Sequence, residues 1–508
     1  MDPTTRNGAQ PPAAAPPATL ERKLGLRDAL AGTLSNIAPV EGIFIVTTLV
    51  ATSMGTLTPW AFLVAAVGIL VTGSNLAQFA ARIPSAGGYL GFIARTAGIY
   101  GERTGVFAGA AVFLICLLAG PITLAAVLIF LGTWTAGILG LGGSWWLVIA
   151  IAAGLLSLPV LLRGVTTSAR TSFLLFSLEA GGLLLFSAVV LFAARHSIGA
   201  PLHPAGGAGG WKGFTGITFA LAVSGFVGWE NSASLAEEVR NPRRVVPIAT
   251  LTGIAVVAVL YLCATWAAVA GYAHWQGTLP GMASLGNPGN ATPFLDLADH
   301  YLPWFRWGVA AIGTISAAAC LVAGFTATSR IAYASARAGL LPRYFATLNR
   351  HSVPGRTAVA YVAITLAAVV GPYLLGAHDP TSLSAYEAGI GTVPLIGVYL
   401  LVSVALPVYV LRRDRASFNP LVHLVPSVVG VVVIGFGIYG SLDPSQPAPG
   451  NTFWIYVVAM TALAVLGAAV ITRRNPRGMV ALGVSDTPDD EDEPDAPSRT
   501  GTGALAEA

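Results

Sequence analysis

The sequence predicts an all-α integral membrane protein of about 12 transmembrane helices, and three observations carry that prediction. Hydrophobic residues make up 55% of the 508 residues and charged residues only 10%, against roughly 25% charged in an ordinary soluble protein. Apolar runs near the roughly 20 residues that cross a bilayer recur at 29–54, 58–81, 104–133, 144–162, 170–194, 213–236, 246–272, 304–335, 357–377, 384–411, 421–440 and 451–472. The charge is also asymmetric. With the N-terminus on the cytoplasmic side, Arg195, Lys212 and Arg306 are the only ones of the 27 Lys and Arg that fall outside, as the positive-inside rule demands. A multi-pass plasma-membrane protein with both termini in the cytoplasm is the expectation.

In chain order, residues 1–28 read as a disordered cytoplasmic segment rich in Pro and Ala, without the apolar core of a signal peptide. Span 1 contains SNIAPVEG at 35–42. Pro39 removes an amide and disfavours a helical conformation at the residue before it, so a break is expected there. Glu41 lies just beyond. Span 5 carries a second acid, Glu179, in SFLLFSLEAGGLLLF. Span 6 has Gly225 and Gly228, which tolerate unwound backbone, and a third acid, Glu230. A carboxylate within an apolar span is expensive in lipid and is expected to face a cavity, a solute or a partner. Glu237 and Glu238 close span 6 beside Arg240, Arg243 and Arg244, a plausible inner gate. Thr326, Thr328 and Ser329 on span 8 offer oxygens to a sodium ion, or bond back to helix carbonyls. The tail at 473–508, with its DTPDDEDEPD run, reads as disordered, acidic and cytoplasmic.

Several classes are excluded. Cys116, Cys263 and Cys320 sit in apolar runs with no disulfide framework or metal-ligand spacing. The basic residues sit at helix ends, so membrane topology explains them better than nucleic acid does. No phosphate-cradling loop is visible, and no nucleophile–base set marks an enzyme. No cofactor is expected.

Three segments in order then carry a family resemblance. GWENSASLAEEVRNPRRVVPIAT at 228–250 resembles the span 6 segment of the amino acid, polyamine and organocation permeases. RIPSAGGYLGFIARTAG at 82–98 is similar to their loop after helix 2, and SRIAYASARAGLLPRYF at 329–345 to the basic segment after their helix 8. With the opening LGLRDALAG at 24–32, these matches cover most of the first ten spans. The resemblance implies a LeuT-like transport core at 29–411, with spans 1–5 (29–194) and 6–10 (213–411) as inverted repeats and spans 11 and 12 (421–472) peripheral. It implies a secondary active transporter of amino acids, working by alternating access with proton symport or exchange. An amine transporter of the same fold and a non-transporting sensor are the alternatives. In such folds the broken first helix of each repeat binds substrate. The substrate-binding set is then Ile37, Ala38, Pro39, Glu41, Gly42, Ser224, Gly225, Phe226, Gly228 and Glu230, with Glu179 and Glu230 in coupling and Phe226, Trp229, Glu237 and Glu238 as gates.

The chain departs from the family at three of these positions. Many members have Gly-Ser-Gly or Gly-Thr-Gly at the first break, where free amides receive a carboxylate. Here the stretch is Pro39-Val40-Glu41-Gly42. An ionised Glu41 in the pocket attracts an amine and repels a carboxylate. Glu179 falls where cationic amino acid members carry a lysine; a carboxyl there instead takes up and releases a proton, or helps to ligate a cation. Ser224 stands where arginine-type antiporters have a gating tryptophan, a part Phe226 or Trp229 can take.

Overall fold

The computed structural model describes residues 24–83, 88–164, 169–207, 214, 217–234, 239–287, 289–290, 292–337, 341–445 and 450–474. Nearly all of the N-terminal segment and of the acidic tail lies outside them, as do Glu237 and Glu238.

Span 1 is two helices. Helix α1 (Leu26–Ile37) begins where the Gly25 amide donates to Asp28 Oδ2 at 2.8 Å. It stops at Ala38, whose backbone is left-handed at φ 48°, ψ 66°. Helix α2 (Pro39–Met54) restarts at once, with proline at the first helical position, where its missing amide leaves no gap. The break stands one residue ahead of Pro39, but Ala38 is left-handed and not extended as a residue before proline usually is. A 3₁₀ turn, Gly55–Leu57, leads into α3 (Thr58–Arg82).

The chain continues through α4 (Gly88–Gly98), α5 (Glu102–Ile138), α6 (Trp145–Arg163) and α7 (Ala169–Ala193). Span 6 is again broken, into α8 (Ile217–Ser224) and the single turn α9 (Asn231–Ser234), with turns at 225–230 between them. There follow α10 (Pro242–Gln276), α11 (Thr278–Leu285), α12 (Pro293–Tyr301) and α13 (Arg306–Arg337). The last four are α14 (Gly355–Leu374), α15 (Pro380–Arg413), α16 (Val425–Ser441) and α17 (Phe453–Arg474).

Ten helical runs among the described residues are long and apolar enough to cross a membrane, against the expectation of about 12. The difference has a structural reason. Spans 1 and 2 form one run, Leu26–Arg82, with no polar interval between them, and span 6 is cut into pieces of eight and four residues. Helix α5, with 37 residues, is about 55 Å long at 1.5 Å per residue and forms the central post. Helix α15 packs along it and α3 packs along α10, while α16 and α17 lean on α15 and on α3 and α5 respectively. Large apolar side chains such as Leu156 (70% exposed) and Leu466 (64%) face outward, the surface a bilayer covers.

The end that carries Arg82, Arg240 and Arg412 is tied together by polar contacts. Leu24 pairs as an isolated bridge with Val239, and the Arg240 amide donates to the Leu24 carbonyl at 3.0 Å. Arg82 reaches Asp414 at 3.5 Å and His423 Nε2 at 2.8 Å, joining α3 to the segment between α15 and α16. The Ser417 hydroxyl donates to Asp414, and with help from Arg82 it holds that carboxyl below its ordinary value. A carboxyl lowered in the folded state stabilises it above the unfolded value, near pH 4, and the gain is lost as pH falls through the lower folded value. Because Asp414 is largely exposed, solvent screens the effect. The melting-temperature gap between wild type and Asp414→Asn is therefore expected to be small, constant from pH 5 to 8, and to close below pH 4.

Candidate functional site

The two breaks meet. Asn36, in the last turn of α1, donates from Nδ2 to the Gly228 carbonyl at 3.3 Å. Gly228 has φ +107°, and a Cβ placed there would stand 2.7 Å from Asn36 Nδ2 and 2.8 Å from the Asn36 carbonyl oxygen. Gly42, in the first turn of α2, packs against Tyr261 and the Gly225 backbone. A Cβ on it would lie 2.6 Å from Tyr261 Oη and 3.2 Å from the Gly225 carbonyl. Glycine is needed at both positions because backbone crosses backbone there.

Each break spends some of its freed polar groups internally. The Tyr261 hydroxyl, from α10, donates to the Gly225 carbonyl. Ser224 donates back to Leu221 at 2.6 Å, so its hydroxyl is committed to its own helix. The amide of Glu41, among the first-turn donors that lack an intrahelical acceptor, donates to Ser316 Oγ on α13 at 3.2 Å. Ser316 in turn donates to Glu179 Oε2 on α7 at 2.8 Å. A continuous line therefore runs from the start of α2 through α13 to the acid of α7.

The structure divides the three intramembrane acids into two groups. Glu41 (6% exposed) and Glu179 (5%) are both buried, and Ser316 joins the backbone of the first to the carboxylate of the second. No described residue hydrogen-bonds the Glu41 carboxylate. Glu230 is half-buried and lies elsewhere. Its Oε2 accepts from the Gly228 amide and from Tyr399 Oη of α15, both at 3.1 Å, near Tyr89 and Cys116. Glu230 fastens the second break to α15. Tyr399→Phe removes a hydrogen bond to the Glu230 carboxyl group, about 0.5–1.5 kcal/mol. It is expected to lower the melting temperature in detergent while leaving the proton dependence of any flux unchanged.

Ile37, Ala38, Pro39 and Gly42 are buried at the first break. Phe226 is fully buried, edge-on to Tyr261 at 4.9 Å, and Trp229 is fully buried 5.1 Å from Tyr399. On the side away from the basic end, α2, α5, α7 and α12 meet through aromatics. Phe44 stacks on Phe294 at 4.4 Å and meets Trp134 at 5.0 Å, and Phe186 meets Phe294 at 5.6 Å. Thr326 and Thr328 donate to the Val322 and Gly324 carbonyls at 2.6 and 2.7 Å, so these hydroxyls serve their own helix.

Sequence reasoning missed Ser316, Tyr399, Tyr261 and the buried acid Glu387 of α15 (7% exposed). For Glu387 the signal was present, since it is an acid within a predicted span. Ser316 and the tyrosines carry no local signal, because their partners lie 36 to 275 residues away.

The model of the amino acid permease family matches residues 24–465, most of the chain and both breaks. The chain belongs to the amino acid permease family. Among its relatives is the branched-chain amino acid permease BcaP of Bacillus subtilis, 25% identical over 478 residues, 89% of this chain and 92% of that one. The BcaP of Lactococcus lactis is 25% identical over 280 residues, 54% and 55% of the two chains. Cationic amino acid transporter 2, vacuolar, of Arabidopsis thaliana is 26% identical over 219 residues, 42% and 32%. The matched part spans about half the length of the Lactococcus lactis relative and a third of the plant one. This permease-family chain thus has a multi-pass membrane fold and two crossing breaks, with Ser316 linking the Glu41 amide to the Glu179 carboxylate.

Proposed function

We propose that the chain is a secondary active transporter that carries an amino acid across the plasma membrane by alternating access between the two breaks, coupled to protons at Glu41 and Glu179. The observation that carries the reading is the line from the Glu41 amide through Ser316 to Glu179. Two like charges in a buried site are not stable together without a cation between them. A proton or a substrate ammonium supplies that cation, and its departure changes what Ser316 holds. Because Ser316 also holds the first turn of α2, occupancy of the acid pair and position of the broken helix are linked.

In this reading spans 1–5 and 6–10 are the inverted repeats, spans 11 and 12 lie outside them, and both termini are cytoplasmic. The aromatics around Phe44 and Phe294 close the outer path, with Phe226 and Trp229 as inner walls of the site. An amine substrate is the second reading. The Glu41 carboxylate, at the break where family members present free amides, favours it.

The test is radiolabelled uptake into proteoliposomes with and without an inward proton gradient. The panel holds branched-chain, acidic and cationic amino acids, putrescine and ethanolamine. Gradient-driven accumulation of an amino acid is the expected result. Uptake of amines alone favours the second reading, and saturable binding without flux makes the protein a sensor.

A further inference from the structure

We propose that the cavity at the basic end, between α6, α13 and the turn before α14, binds a phosphate group. Its volume is about 210 Å³, and it is lined by Leu161, Ser329, Arg330, His351, Ser352 and Val353 among others. A water occupies about 30 Å³ of liquid, so an oxyanion with part of its hydration fits.

Ser329 carries the argument furthest. It is 2% exposed, and its Oγ is buried with no hydrogen-bond partner, although Thr326 and Thr328 beside it both bond back to their helix. A buried hydroxyl without a partner is destabilising unless a ligand satisfies it. Arg330, next in the chain, also lines the cavity and makes no ion pair or hydrogen bond with a described residue. Guanidinium is the side chain best matched to phosphate oxygens.

The opposite wall is built. Asn349 Oδ1 accepts from the His351 and Val353 amides at 2.9 and 3.1 Å, and its Nδ2 donates to the Leu162 carbonyl of α6 at 2.7 Å. One side chain thereby fixes the loop, with Ser352 at φ +58°, against the end of α6. His351 Nε2 accepts from Arg350 Nε at 3.2 Å, so the other ring nitrogen, Nδ1, is the donor. Ser329, Arg330, His351 and Ser352 thus line one space, and among the described residues no carboxylate does.

Two sources supply this chemistry, free phosphate and the headgroup of an anionic phospholipid. The flanking helices leave Leu156 of α6 and Ile364 of α14 exposed toward acyl chains. The test uses the purified full-length protein. Sodium phosphate binding is titrated at constant ionic strength, and phosphatidylglycerol retention against phosphatidylcholine is read by native mass spectrometry. Wild type, Ser329→Ala, Arg330→Ala and Arg343→Ala are compared. Arg343→Ala removes the same charge from the same end without touching the cavity lining.

Arg330→Ala is expected to weaken the bound species about tenfold or more and Ser329→Ala severalfold, with Arg343→Ala near wild type. If this pattern appears with inorganic phosphate, the ligand is soluble. If it appears only with phosphatidylglycerol, the ligand is a lipid headgroup. Failure of both to bind, or equal weakening by Arg343→Ala and Arg330→Ala, overturns the site.

Discussion

Glu179→Gln is expected to abolish gradient-driven accumulation while leaving exchange of substrate across the membrane. One proton per substrate sustains about tenfold accumulation for each pH unit of gradient, because about 1.4 kcal/mol is a factor of ten. The variant is expected to stay near onefold under the same gradient. Gln keeps an oxygen to accept from Ser316, so the 2.8 Å contact and the fold persist while the titratable charge is lost. Ser316→Ala separates positioning from charge. It leaves Glu179 able to titrate but frees the Glu41 amide from α13, so accumulation should persist at a reduced rate. A Glu179→Gln protein that still concentrates substrate about tenfold would remove the acid from coupling.

Gly228→Ala is the substitution expected to damage the protein most. It forces an L-residue to φ +107°, a strain of about 1–3 kcal/mol, and drives a Cβ to within 2.8 Å of Asn36 backbone oxygen. Overpacking of that kind adds about 1–3 kcal/mol, and the contact is backbone, so no rotamer change relieves it. Gly376 provides the comparison. Its φ is +103°, but nothing lies within 4 Å of a Cβ built there, so Gly376→Ala carries strain without crowding. Thermal unfolding in detergent and uptake should both collapse for Gly228→Ala, whereas Gly376→Ala should show only the smaller loss of stability with uptake retained. Equal behaviour of the two variants would mean that the crossing of the breaks contributes nothing.

Much of the fold was legible in the sequence because it depends on local covalent and compositional facts. Apolar runs mark the spans, and Pro39 and the Gly225/Gly228 pair mark the breaks. The left-handed backbone at Ala38 was not legible, because proline's bias on its neighbour points to extended backbone and packing overrode it. Glu41, Glu179 and Glu230 were all selected as unusual acids in lipid, yet selection did not say which belong together. Of Glu41 and Glu230, both expected to meet substrate, Glu230 is hydrogen-bonded to Gly228 and Tyr399, while the Glu41 amide is linked through Ser316 to Glu179.

What the sequence determined by itself is that this chain lives in a bilayer, where two of its helices must break and which acids stand within it. Those properties follow from transfer free energies and from proline's missing amide, which act residue by residue. Only the tertiary structure decided that Asn36 crosses Gly228, 192 residues on, and that Ser316 bridges Glu41 and Glu179 across 275 and 137 residues. A serine in an apolar helix looks the same in sequence whether it bonds to its own turn or to a distant acid. The choice is made by which helix packs beside it.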